Sequence, residues 1–116
     1  MFVHCAILLH ILTFDNNNER RYYMIVSFRS KDTARLNSGK RVREFQAIER
    51  IILRKLRQLQ IAQSIDDLRV PPGNRLEALH GDREGQYSIR VNDRYRICFI
   101  WSEAGPCEVE VVDYHK

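Results

Sequence analysis

The sequence predicts one small α+β domain, with a long helix lying on a sheet built from the last third of the chain. Three observations carry this reading. The chain has 116 residues, enough for one domain and a modest core. Phe45, Ile48, Ile52, Leu56 and Leu59 recur at spacings of three and four, with Ile51 beside them. That is a single apolar stripe on a helix from about Arg41 to Ala62. Alternating apolar residues then mark three strands, Gln86 to Val91, Tyr95 to Trp101 and Cys107 to Asp113. The apolar face of such a sheet must be covered, and the striped helix is available.

Taken in chain order, Phe2 to Phe14 is apolar but too short to span a bilayer. It also lacks the positive start and small-residue site of a signal peptide. Asn16-Asn17-Asn18 interrupts regular structure. Glu19-Arg20-Arg21 can be written GAA-AGG-AGG, a ribosome-binding site in codon form, and Met24 follows two tyrosines later. Residues 1–23 are therefore expected to be an extension, a mis-assigned start or disordered, and residues 24–116 the domain. A membrane-leaning or partner-binding arm is the other reading of that stretch. Met24 to Phe28 is β-branched and aromatic and reads as a strand. Ser30 or Asp32 caps a short helix, Thr33 to Asn37, which Ser38-Gly39 closes. Pro71-Pro72-Gly73-Asn74 stops regular structure after the long helix. Leu76 to Leu79 reads as a short strand ending in the turn His80 to Gly85, and Ser102 to Pro106 is a loop.

Parity places the side chains. Tyr87, Ile89 and Val91 share a face with Tyr95, Ile97 and Phe99 only if Asn92-Asp93-Arg94 is a three-residue loop. The opposite face then gathers Ser88, Arg90, Arg96, Cys98, Ile100 and Val112, with Arg90 directly across from Arg96. Two facing arginines repel unless an anion joins them, which makes this face a candidate RNA surface. The same register sends Cys98 and Cys107 to opposite faces.

Lys and Arg total 19 against 15 Asp and Glu, a net charge of +4, so composition hints at an anionic partner without requiring one. Charge placement says more: the outer faces of the long helix carry Arg50, Arg54, Lys55 and Arg57, suited to a phosphate backbone or simply to solvent. The cysteines, Cys5, Cys98 and Cys107, are odd in number and form no C-x-x-C pair, which favours a reducing cytoplasm over a disulfide framework. No H-x-H, H-E-x-x-H or acidic cluster offers a metal site, and no cofactor motif appears. The chemically useful groups fall near the end of the chain: His80 on a Gly-rich turn, Arg96 in mid-strand, and Asp113-Tyr114-His115 just past a strand. A ribose 2′-hydroxyl attacks its neighbouring phosphate when a base takes its proton, an acid protects the leaving oxygen and cations hold the added charge. Histidine, tyrosine and arginine cover those tasks. Each residue also has a plain structural role: a frayed terminus for His115, an exposed turn for His80, a surface charge for Arg96. Asp82 and Arg83 are expected to pair with each other or with backbone.

The run from Pro72 to Phe99, with G-D-R-E-G at 81–85 and S-I-R-V-N-D-R-Y-R-I-C-F at 88–99, resembles the HigB family. That family is part of the RelE/ParE superfamily of bacterial toxins and is also called plasmid-maintenance killer protein. Val111 to His115 and the start Met24 to Phe28 with Asp32-Thr33 resemble it too. The resemblance implies a RelE-like toxin fold, two N-terminal helices packed on a small, mainly antiparallel sheet. It implies a type II toxin that cuts translated messenger RNA on the ribosome without metal. It also implies a HigA-type helix-turn-helix antitoxin, with operator DNA bound only through the complex. The family's terminal Asp-Tyr-His falls on Asp113, Tyr114 and His115, its strand arginine on Arg96, and its basic residue before the turn, commonly Lys, on His80. Where some members have a histidine this chain has Glu77.

The resulting expectation is a cytoplasmic endoribonuclease with His115 as general acid or base and Arg96 as the phosphate clamp. Tyr114 and His80 assist, Asp113 orients the terminal segment, and Arg90, Arg50, Arg54 and Arg57 bind RNA or ribosome. Two alternatives stay open: a gyrase-directed toxin like the ParE branch, and a weakened toxin acting mainly as co-repressor with its antitoxin.

Overall fold

The structure is a computed structural model that describes residues 24–114 fully and, before them, the backbone of residues 12–14 and 20–22. Two short strands, β1 (Leu12–Phe14) and β2 (Arg20–Tyr22), pair antiparallel as a separate two-stranded sheet. The rest of the expected extension lies outside the described residues. Helix α1 (Lys31–Asn37) and helix α2 (Glu49–Ile61) come next. The four-stranded sheet follows, β3 (Glu77–Ala78), β4 (Tyr87–Arg90), β5 (Tyr95–Ser102) and β6 (Gly105–Asp113). Its order is β3-β4-β5-β6, and every one of these pairings is antiparallel. The fold is α+β as expected, but its helices are not N-terminal: they follow the β1–β2 pair and an extended segment.

Local chemistry explains each element. The Ser30 hydroxyl accepts from the Thr33 amide at 3.2 Å and so caps α1, which begins at Lys31. The long helix expected from Arg41 is divided: Arg43–Ile48 is a 3-10 helix and the α-helix starts at Glu49. Val42, Phe45 and Ile48 recur at threes, the period at which a 3-10 helix stacks its side chains. Val42 and Phe45 are buried, and the Phe45 ring meets Tyr95 edge-on at 6.2 Å. Ile52, Leu56 and Leu59 then follow the α-helical period and are fully buried.

The core lies between α2 and one face of the sheet, where Ile89, Ile97, Phe99 and Val109 are also fully buried. Burial of this apolar surface is the main stabilising contribution. Lys55, read as part of the solvated basic face, is buried instead. Its ammonium donates to the Asn74 side-chain oxygen Oδ1, and Asn74 Nδ2 donates to Gln58 Oε1 and the Leu68 carbonyl. This hub ties the loop after α2 back to the helix. Desolvation, then the nearby Arg54 and Arg90, push the Lys55 pKa below its ordinary value.

Arg90 faces Arg96 and Ile89 faces Ile97, so the three-residue loop is present. The Asn92 carboxamide oxygen accepts from the Arg94 and Tyr95 amides and holds that loop. The last connection is shorter than the expected loop, because Ser102 already pairs with Gly105. The register then slips: Cys98 opposes Glu110, but Ile100 opposes Cys107. The extra residue is a β-bulge at Glu108, whose φ is +52°. The bulge reverses parity below it, so Cys107 shares a face with Cys98 rather than lying opposite, and both thiols are free.

The Met24 to Phe28 segment is extended but is not a regular strand. It meets β6 at the bulge through one parallel bridge, Phe28 to Val109. The Val109 amide donates to the Ser27 carbonyl and the Arg29 amide to the Val109 carbonyl. Glycine is required at 105, where φ is +122° and a Cβ would stand 2.7 Å from the Met24 carbonyl oxygen. Among the described residues no helix is long and apolar enough to cross a membrane.

Candidate functional site

The 3-10 turn Gly81–Arg83 and the end of β6 form the two walls of an open cleft of about 440 Å³. Leu79, His80, Asp82 and Arg83 line one side, and Val112, Asp113 and Tyr114 the other. The cleft thus brings together three of the expected site residues, His80, Asp113 and Tyr114. His115 lies outside the described residues.

The β6 wall is anchored at two residues, Asp113 and Tyr114. Arg94 grips both oxygens of Asp113, with Nε–Oδ1 at 3.0 Å and Nη2–Oδ2 at 2.8 Å. The Tyr114 amide donates to the Arg94 carbonyl at 2.7 Å, so β6 remains tied to β5 up to the last described residue. The Tyr114 phenol folds back over the sheet to the Cys98 thiol, oxygen to sulfur 3.6 Å. Desolvation by burial, with this thiol contact second, pushes the Tyr114 pKa up to about 12. Burial raises the Cys98 thiol as well. Both groups are therefore neutral at physiological pH. His80 is well exposed, its Nδ1 3.8 Å from Glu84 Oε1.

Arg96 is not where a bare surface cation would be. Its side chain is only 13% exposed. Nε donates to Ser88 Oγ at 2.7 Å and Nη2 to the Arg75 carbonyl at 2.6 Å, with Glu77 Oε1 3.9 Å from Nη2. Arg75 has a φ of +44°, so this guanidinium secures a turn in the left-handed region. A two-pronged phosphate clamp on Arg96 is accordingly not preformed. No shared anion is required between the facing arginines either, because Arg90 has its own partner in Asp93. The face expected to be an open RNA surface is partly covered, since Ser88 and Cys98 are fully buried.

Arg50, Arg54 and Arg57 are exposed on α2 and, with Leu53, line a separate shallow depression. Helix α2 covers the apolar face of the sheet, whereas Tyr114 lies over Cys98 on the other face. The helix arginines and the cleft are therefore two separate surfaces, not one.

Sequence reasoning missed Arg83, which pairs with Glu110 at 3.1 Å and Gln86 at 3.0 Å rather than with Asp82. It also missed Cys98 as the partner of Tyr114 and Arg94 as the holder of Asp113. Only Cys98 carried a signal, since strand parity put it on the face opposite the core. Among the described residues no group of three or more His, Cys, Asp or Glu could hold a metal ion.

Taken together these features define a small α+β domain with an ionisable cleft at one end of an antiparallel sheet. A profile of the RelE-like HigB toxins of type II toxin-antitoxin systems matches residues 26–115. Toxin HigB-1 of Vibrio cholerae is 47% identical over 70 residues, covering 60% of this chain and 73% of that protein. An uncharacterised protein of Haemophilus influenzae is 42% identical over 50 residues, covering 43% of this chain and 50% of that protein. The chain belongs to the HigB-like toxin family, and membership implies an antitoxin partner.

Proposed function

We propose that this protein is a ribosome-dependent endoribonuclease that cleaves translated messenger RNA in the cytoplasm and is silenced by a HigA-type antitoxin. The observation that supports it best is the cleft itself, where His80, Asp113 and Tyr114 converge and His115 is the next residue in the chain. Membership in a RelE-like family is consistent with a nuclease role.

The chemistry follows from the protonation states. A ribose 2′-oxygen attacks the adjacent phosphorus, the bond to the 5′-oxygen breaks, and a 2′,3′-cyclic phosphate and a 5′-hydroxyl result. A phenol with a pKa of about 12 holds its proton at neutral pH, so Tyr114 suits a donor and not a base. The base role then falls to a histidine, His115 or His80, the side-chain type that most often takes a proton in such a step. Asp113 is fixed by Arg94 at the end of the last strand, two residues before His115 in the chain. Arg96 contributes positive potential beside Tyr114 while its donors brace Ser88 and Arg75. The balance needs no metal ion or other cofactor. Operator DNA is contacted only through the antitoxin complex.

The deciding experiment is induction of residues 24–116 in cells, followed by mapping of messenger RNA 5′ ends. Cuts spaced by codons within translated frames are expected. DNA breaks with intact messenger RNA would point to a gyrase target instead. No toxicity would point to a co-repressor, for which Glu77 beside Arg96 in place of a family histidine is the favouring feature.

A further inference from the structure

We propose that Arg83, rather than Arg96, is the guanidinium that meets the scissile phosphate, with Glu110 and Gln86 as its positioning residues. This rests on the endoribonuclease reading of the cleft.

The contrast between the two arginines carries the argument. Phosphate oxygens are best taken by the Nε/Nη2 edge or the paired Nη edge of a guanidinium, two parallel donors at a time. In Arg96 the Nε/Nη2 edge is spent on Ser88 Oγ and the Arg75 carbonyl. In Arg83 a single nitrogen, Nη1, makes both bonds, to Gln86 Oε1 and Glu110 Oε2. Its Nε and Nη2 have no hydrogen-bond partner among the described residues. Arg83 is also the one arginine among the described residues lining the cleft, and its side chain is 31% exposed against 13% for Arg96. The open edge is thus accessible while the other edge is fixed.

That fixing is built from three elements. Gln86 leads into β4, Glu110 lies on β6, and Glu110 is only 18% exposed, with Arg29 Nη1 3.8 Å from the same oxygen, Oε2. This half-buried carboxylate orients Arg83 before substrate arrives. Arg83 lies close enough to Tyr114 to act on its ionisation, so one phosphate reaches both the charge and the phenolic proton. Asp82, the carboxylate on the same wall, is exposed at the rim and leaves Arg83 to Glu110. Donors already aimed at the oxygens where charge grows are what a five-coordinate phosphorus requires.

The test compares the parent with Arg83→Gln and Arg83→Lys on ribosomes programmed with a short messenger RNA, with melting temperatures taken alongside. Binding of a 2′-O-methylated, uncleavable copy of that RNA is measured across a salt series. Arg83→Gln is expected to stay folded and to cut about 10²- to 10³-fold more slowly. Its log–log salt slope should flatten by about 0.7, the loss of one single-strand phosphate contact. Arg83→Lys should restore the slope but only part of the rate, because an ammonium cannot fork across two oxygens. If the parent cuts and a folded Arg83→Gln cuts within a few-fold of it, the assignment to Arg83 is overturned and the nuclease reading stands. If the parent itself leaves the RNA intact, both fall. Should Arg83→Gln unfold, Arg83→Lys decides: a folded protein at the parental rate makes Arg83 structural, and a folded protein at least tenfold slower upholds the proposal.

Discussion

One guanidinium, that of Arg96, joins three stretches of chain that no periodicity connects. It bonds Ser88 on the neighbouring strand and the Arg75 carbonyl in the left-handed turn, and it stands beside Glu77 on β3. A strand arginine read as a spare surface charge would cost little to remove, and its burial reverses that expectation. Arg96→Ala should destabilise the fold by about 2 kcal/mol, since a charged hydrogen bond is lost and the fully buried Ser88 hydroxyl loses its donor. Denaturant melts of the purified variant check this, and an unchanged midpoint would show that water replaces the guanidinium without penalty. Tyr114 supplies a second prediction at this scale. Its folded pKa, about 12, lies above the ordinary phenolic value of 10, so the native state holds the proton more tightly. The resulting stability is complete below pH 10 and is lost as pH rises toward 12. Alkaline melts should show a decline over that window that Tyr114→Phe lacks. Neither the pairing of Tyr114 with Cys98 nor that of Arg83 with Glu110 was legible in the sequence, because both depend on how far side chains reach across the sheet. The residue types gathered at the cleft were legible, because their chemistry restricts the choice.

At the scale of elements, periodicity located the helices and the three long strands, and two departures have physical causes. The striped helix changes period at Ile48 because the side chains before it repeat at threes. The last strand slips at Glu108 because an incoming edge segment takes its backbone groups, an event written in residues 24–29 and not in β6. Strand alternation cannot reveal a bulge whose cause lies some eighty residues away, between Ser27 and Glu108. Lys55 shows the same limit on a helix, since its burial depends on Asn74 in a later loop. The remaining basic residues of α2 behave as the pattern suggests, with Arg50, Arg54 and Arg57 exposed and off the buried stripe. Reversing all three to Glu should leave the melting temperature within a few degrees and weaken ribosome binding. The effect should shrink as salt rises, because backbone contacts act through counterion release. Equal affinity of parent and variant at low salt, measured by co-sedimentation, would remove this surface from the proposed function.

For the whole molecule, the described core is assembled from residue 24 onward, with Met24 itself only 1% exposed. We propose that residues 1–23 are dispensable. Deleting them should leave folding and toxicity unchanged, as judged by melting temperature and by growth on induction. A large drop in stability would show that the opening segment packs on the domain. The family match, from residue 26 to residue 115, covers this same unit.

The seam between the segment at 24–29 and β6 bears on how the protein is made. Its partners Ser27 and Glu108 are 81 residues apart, so the edge of the sheet cannot close while the nascent chain is still short. Contacts of such long range are the slow ones in folding, because the intervening chain must be ordered before they form. Gly105, pressed against the Met24 carbonyl, marks the last hairpin as the piece that completes the edge. The cleft, which needs the end of β6 for one wall, is then assembled only when nearly all of the described chain has emerged. Under the ribosome-directed activity proposed above, the toxin would thereby be inert toward the ribosome that is synthesising it, and its antitoxin would have that interval in which to capture it.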